Sequence, residues 1–132
     1  MDISVYTEKA RVEVTVVHVH GNIDSNTYEA FEKQVGELID AGALYLLIDL
    51  SHTAFLSSAG LRALNSLFYR LRSLAPENTD DEMKKGIREG TFHSAHLKLA
   101  GVNKDIRQVL EVSGFDMYLE VLPDVQTALA SF

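Results

Sequence analysis

The sequence predicts a single α/β domain, one sheet with helices packed against it. Three observations carry that reading. Strand-like and helix-like patterns alternate along the chain. Residues 43–50 form a nearly continuous apolar run of strand length, as a strand covered on both faces requires. At 132 residues the chain is large enough to bury one core without disulfides or a metal.

Taken in order, Ile3–Tyr6 and Arg11–His20 read as strands, the second with Val12, Val14 and Val16 alternating against Glu13 and Thr15. The alternation shifts at Val16-Val17, which predicts a bulge or burial on both faces. Gly21-Asn22 breaks the strand. Over Thr27–Ala41, Tyr28, Phe31, Val35, Leu38 and Ile39 share one helical face, with Glu29, Glu32, Lys33 and Glu37 around the other. Gly42 ends that helix, and Ala43–Leu50 is the central strand. A second helix follows, with Leu61, Leu64, Leu67, Phe68, Leu71 and Leu74 at helical spacing and Pro76 beyond its end. His96–Gly101 is a strand, Lys104–Ser113 a helix closed by Gly114, and Tyr118–Leu122 a last short strand. Pro123–Phe132 opens with proline at a helix start and turns Val125, Ala128 and Leu129 inward.

Residues 75–95 are long for a connection in a compact domain. They carry a helix signal of their own: Thr79 and Glu82 fit a capping box, Asp80–Lys84 and Asp81–Lys85 are at pairing distance, Met83 and Ile87 give a small apolar face, and Gly90 an end. The expectation is a solvated, partly mobile insertion in preference to a docking element.

Composition narrows the function. The formal charge is −7, from 12 basic and 19 acidic residues, which is not the electrostatic footprint of a nucleic-acid binder or an anionic-membrane binder. There is no cysteine, so neither a disulfide framework nor a thiolate metal site. The first residues lack a signal-peptide layout and no apolar run could span a bilayer, so a cytoplasmic protein is expected. Five histidines raise the question of a metal. His18 and His20 fall on one strand face and His93 and His96 flank a strand start, without a joining carboxylate cluster; packed or surface roles are expected, and no metal or cofactor.

The segment DLSHTAFLSSAGLRAL, Asp49–Leu64, is where chemistry is concentrated. A strand ending near Leu50 and a helix starting near Ser58 put Ser57 and Ser58 where a helix has four unpaired N–H groups. One serine is accounted for as a cap, and Gly60 permits close packing in the first turn. A hydrolase elbow needs glycine on both sides of the serine, but Leu56 occupies the first position, and no phosphate-binding GxxxxGK[ST] occurs. Catalysis is therefore not expected. A serine at an exposed helix start can instead accept a phosphate, because the helix dipole and free N–H groups favour an anion there.

The run IDLSHTAFLSSAGLRAL resembles the STAS family, the domain of bacterial anti-sigma factor antagonists and of sulphate-transporter tails. Asp49-Leu50-Ser51, Phe55-Leu56 and Ser58…Gly60-Leu61 match its central motif. GNIDSNTYEAFEKQV matches the segment between second strand and first helix through Gly21, Asp24 and Thr27. LAGVNKDIRQVLEVSGFD resembles the fourth strand and the helix after it. The chain departs from the pattern at Ser57, usually aspartate, and at Ala59, usually serine. The resemblance implies a STAS-like domain over 1–132, with a mixed sheet of four to five strands and about four helices mainly on one face. It also implies that the phosphorylated residue is Ser58, with Ser57 as second candidate, and that Asp24, Ser25, Asn26, Ser57, Ser58, Ala59 and Gly60 meet a partner. Asp24 as a simple helix cap is an equally valid reading, and Ser25 or Asn26 as turn formers is the alternative for those two residues. The implied partner is an anti-sigma factor that is also a serine kinase, with a serine phosphatase restoring the unmodified form and a homodimer as a further candidate assembly. Two other functions stay open: a STAS scaffold or accessory subunit of a transporter or stress-signalling complex without a phosphate cycle, and a small-ligand or nucleotide sensor.

Overall fold

The computed structural model describes residues 1–76, 79–90 and 92–132. The elements in chain order are β1 (Asp2–Lys9), β2 (Glu13–His20), α1 (Tyr28–Asp40), β3 (Leu46–His52), α2 (Ser58–Leu74), α3 (Asp80–Glu89), β4 (Leu97–Ala100), α4 (Lys104–Ser113), a 3-10 turn (Phe115–Met117), β5 (Val121–Leu122) and α5 (Val125–Ser131). The strands form one mixed sheet in the order β1-β2-β3-β4-β5. β1 and β2 are antiparallel, and the remaining pairs are parallel, as crossover helices between successive strands require.

The shift at Val16-Val17 is burial on both faces. Val17 and Val19 join Leu46, Ile48, Leu50, Leu97 and Leu99 in the larger core, capped by Phe31 and Val35 of α1, Leu64, Leu67 and Leu71 of α2, and Ile106 and Leu110 of α4. Val14 and Val16 face the other way, with Leu47 and Ala100, and are covered by Ala128, Val125 and Leu129 of α5. With Met83 of α3 also in it, four helices share the larger core, and α5 closes the opposite face. An irregularity also exists, further along: the β2–β3 register shifts between His18 and His20.

The expected insertion differs from the structure. Thr79 and Glu82 form the capping box, with reciprocal bonds of 3.1 and 3.2 Å, and Gly90 ends α3 in the left-handed conformation at φ 71°. Asp80 pairs with Arg72 of α2 at 3.3 Å, where sequence spacing suggested Lys84. Met83 is only 3% exposed and belongs to the larger core, with Ile87 packed against it. An apolar pair one turn apart is the reason: it gains more by joining the larger core than by facing water. Glu77, Asn78 and Thr91 of that insertion lie outside the described residues. Among the described residues no helix is long and apolar enough to cross a membrane.

Candidate functional site

The site is built where β3 ends and α2 begins. Asp49 is 5% exposed and opposes His18 across the β2–β3 pair. One carboxylate oxygen accepts from His18 Nδ1 at 2.5 Å and the other from the Ser51 N–H at 3.0 Å. This pairing fixes the strand end that launches the loop. Nothing local in the sequence signals this pair, since its residues lie 31 positions apart.

Two flanking segments then hold the loop. Asn22 Oδ1 accepts from the Phe55 N–H at 3.0 Å, and Ile23 N–H donates to Phe55 O at 3.1 Å. The Ser57 N–H returns to Ile23 O at 2.9 Å, which makes a short parallel bridge between Ile23 and Leu56. From the other side, Asn103 Nδ2 donates to Ala54 O at 3.0 Å while its Oδ1 caps α4 through the Ile106 N–H at 2.8 Å. Asn22, Asp49 and Asn103 are positioning residues; sequence reasoning placed Asn22 at the strand break and Asp49 in the family-like motif but did not foresee these roles. Their partners lie 31 to 49 residues away.

Ser57 is the N-cap of α2, and its Oγ accepts from the Gly60 N–H at 3.2 Å. The departure from aspartate therefore keeps the cap and removes only a charge. Ser58 is the first helical residue, exposed, and its hydroxyl has no hydrogen-bond partner among the described residues. The Ser58 and Ala59 N–H groups are likewise without an acceptor there. The result is a free hydroxyl at the positive end of a 17-residue helix with no acidic residue in its first turn. Ala59 is 5% exposed and Gly60 is buried, so neither presents a side chain at the surface.

Gly60 explains how the two halves of the site meet. A Cβ there would lie 2.8 Å from Ile23 O and 2.5 Å from Leu56 Cδ1, so only glycine lets α2 approach the residue preceding Asp24. The turn beyond it is self-contained. Asp24 Oδ1 accepts from the Asn26 N–H at 2.9 Å, and its carbonyl accepts from the Tyr28 N–H at 2.9 Å. Asp24 thus shapes the entry to α1, while Ser25 and Asn26 stand exposed. The Asp24–Asn26 turn and the serine loop are brought together through Ile23.

The STAS domain family model matches residues 6–76, more than half of the chain. The chain belongs to the STAS domain family. One relative, the anti-sigma-F factor antagonist RsfB of Mycobacterium tuberculosis, is 30% identical to this STAS protein over 95 residues, covering 71% of each chain. Among solved structures, an anti-sigma factor antagonist from Mycobacterium paratuberculosis superposes with a TM-score of 0.69 at 23% identity, covering 98% of this chain and 93% of that one. The Bacillus cell fate determinant SpoIIAA, solved in its phosphorylated form, superposes with a TM-score of 0.62 at 16% identity, covering 97% and 98%. At those identities the two structures speak for the fold, which is the STAS-like sheet and helix arrangement expected from the motifs.

Proposed function

We propose that this STAS protein is a cytoplasmic anti-sigma factor antagonist, a binding module and not an enzyme, switched by phosphorylation of Ser58. The unmodified form binds an anti-sigma factor that is also an ATP-dependent serine kinase, and so releases a sigma factor. Phosphate on Ser58 ends the complex, and a serine phosphatase restores it. The observation that carries this reading is the exposed Ser58 hydroxyl on the first residue of α2, without a hydrogen-bond partner among the described residues. Ser57, by contrast, is half-buried and its oxygen is engaged as the cap. The relatives named anti-sigma factor antagonists and the phosphorylated form of SpoIIAA support the same assignment.

The chemistry is consistent with a switch that leaves the fold intact. A phosphoryl group adds about −1.5 to −2 charges. Beside two free N–H groups and the helix dipole that charge is tolerated by the protein itself. A partner lying over the loop meets it as repulsion and as a group that must be desolvated. Because Asn22, Ile23 and Asn103 hold the loop from both sides, the added charge is presented at a fixed place. The test is to incubate the protein with the anti-sigma factor kinases of the organism that makes it and ATP, then map phosphate by mass spectrometry. Label on Ser58 that is lost in Ser58→Ala is expected. Equal labelling of that variant overturns the assignment.

A further inference from the structure

The two edges of the sheet are built differently. β5 ends it on one side with two residues, too short to act as a template for another strand. β1 ends it on the other side with eight residues, seven of them exposed, paired with β2 without a break in register. Its centre, Ile3 to Thr7, holds four strong strand formers and a serine, with no charge, proline or bulge to deter a second strand. Val5 is 42% exposed and Tyr6 38%. Among the described residues no strand pairs with the outer side of β1.

The phase of the backbone says which groups are free. The Thr15 N–H donates to Tyr45 O on the β3 side, and the Ala10 N–H donates to Val12 O inside the β1–β2 hairpin. Even-numbered residues of β1 therefore turn their N–H and C=O toward β2, and Ile3, Val5, Thr7 and Lys9 turn theirs outward. In an antiparallel pair two opposed residues both bond across the seam or both face away from it. A second β1 can thus meet this one only odd to odd and even to even.

We infer that β1 is the seam of a homodimer, in which two copies pair antiparallel about a two-fold axis at Tyr6 and join their five-stranded sheets into one. The inference goes beyond the switch proposed above and does not depend on it. A two-fold interface is self-complementary, which leaves two registers of comparable length. Centred on Val5, the seam sets Asp2 against Glu8 of the second copy, twice, and like charges directly opposite are destabilising. Centred on Tyr6, it sets Ser4 against Glu8, Val5 against Thr7 and Ile3 against Lys9, with no like-charge pair. The outward backbone groups of Ile3, Val5, Thr7 and Lys9 then exchange the hydrogen bonds. Tyr6 meets its own copy at a non-hydrogen-bonded position, where side chains come closest and an aromatic pair gains most. Its ring is already stacked on His18, with centroids 5.2 Å apart, so little freedom is lost on pairing. Because the seam is antiparallel, the two serine loops lie at opposite ends of the joined sheet, each open to its own partner.

Sedimentation equilibrium across a dilution series reads the assembly. The wild type should rise from the 14.7 kDa of one chain toward twice that mass as concentration increases. Val5→Lys puts a charge on the seam, and Thr7→Pro removes an outward N–H while leaving the bonds to β2 in place. Both should stay at the mass of one chain with native circular dichroism; should Thr7→Pro unfold, Val5→Lys decides. The chain has no cysteine, so the register is read by oxidising single-cysteine variants with diamide. Tyr6→Cys should give a covalent dimer, since its thiol faces its own copy across the axis, and Val5→Cys should not. A wild type that stays monomeric, with the edge free or taken by another protein's strand, overturns the inference. So does a dimer that both edge variants leave intact. A covalent dimer from Val5→Cys and none from Tyr6→Cys overturns the register.

Discussion

Gly60→Ala is the substitution whose outcome the geometry fixes most tightly. In an ordinary helix interior it would stabilise by about 1 kcal/mol, since alanine is the better helix former. Here the added carbon would lie 2.8 Å from Ile23 O, 3.0 Å from Ile23 Cγ2 and 2.5 Å from Leu56 Cδ1. Two of these atoms are side-chain ends, but the carbonyl oxygen is backbone and also accepts the Ser57 N–H at 2.9 Å. Relieving the clash moves α2 off the Ile23 segment and weakens that bond. Overpacking costs about 1–3 kcal/mol and the lost hydrogen bond about 1 kcal/mol. Against the helix gain, the net is a destabilisation of about 1–3 kcal/mol, or roughly 5–10 °C in melting temperature for a chain of this size. Gly36→Ala is the matched control. It is also a buried helical glycine, but its Cβ would meet the guanidinium end of the Arg70 side chain, which can swing away. Thermal and urea unfolding of both variants, with amide chemical shifts of Asn22–Tyr28, decides the matter. Gly60→Ala should melt lower and shift the Asn22–Tyr28 amides, while Gly36→Ala should match or exceed wild type. Equal stability of the two variants would refute the close approach between α2 and the Ile23 segment.

Other consequences are as direct. Thr79→Ala removes the α3 capping box and should cost about 1 kcal/mol, read as faster hydrogen exchange across Met83–Ile87. Hydrogen bonds from the Thr79 backbone and side chain hold the Glu82 carboxyl below its usual range; a depressed value means the stabilisation is present above the unfolded carboxylate pKa and is lost as pH falls through the lower folded one. α3 amides in Thr79→Ala should therefore be less acid-sensitive than in wild type. Burial, then the neighbouring Tyr69, pushes the Tyr118 phenol well above its usual value, and its hydroxyl donates to Asn65 Oδ1 at 2.9 Å. Raised in the folded state, it contributes stability below a pH of about 10 that is lost as pH rises above it, so Tyr118→Phe should flatten the alkaline limb of a stability–pH curve. Lys98, 7% exposed at its side chain, donates to Ser131 O and Oγ at 2.9 and 3.0 Å and lies against the Phe132 ring. Lys98→Met should fray α5 and lower its exchange protection before that of α2.

What could be read from the sequence depended on how local its cause was. The α2 start was legible at Ser57-Ser58 because capping is decided within three residues, and Lys104–Ser113 with Gly114 was legible in full for the same reason. Strand limits were less so. β1 runs to Lys9, beyond the expected Tyr6, because Thr7, Glu8 and Lys9 pair with Thr15, Val14 and Glu13 whatever their polarity. β3 likewise begins at Leu46 and continues through polar Ser51 and His52, the latter opposite His20. The apolar run suggested 43–50, but Ala43 and Tyr45 are packed beside the strand, one against each core. In the site, both serines and Gly60 could be singled out from motif and helix chemistry. The hold of Asn22 and Asn103 on the loop could not, since each acts across the fold on a backbone group that any sequence would carry there, nor could the pairing of Asp49 with the His18 side chain on the neighbouring strand.

The account rests on a hydroxyl whose modification changes recognition and leaves the architecture alone. The most direct measurement is the affinity of unmodified and Ser58-phosphorylated protein for the anti-sigma factor, taken with the circular dichroism and melting temperature of each form. Tight binding by the unmodified form only, with the two spectra superposable, is the predicted result. Equal affinity of the two forms, or a phosphorylated form that has lost its fold, would contradict it.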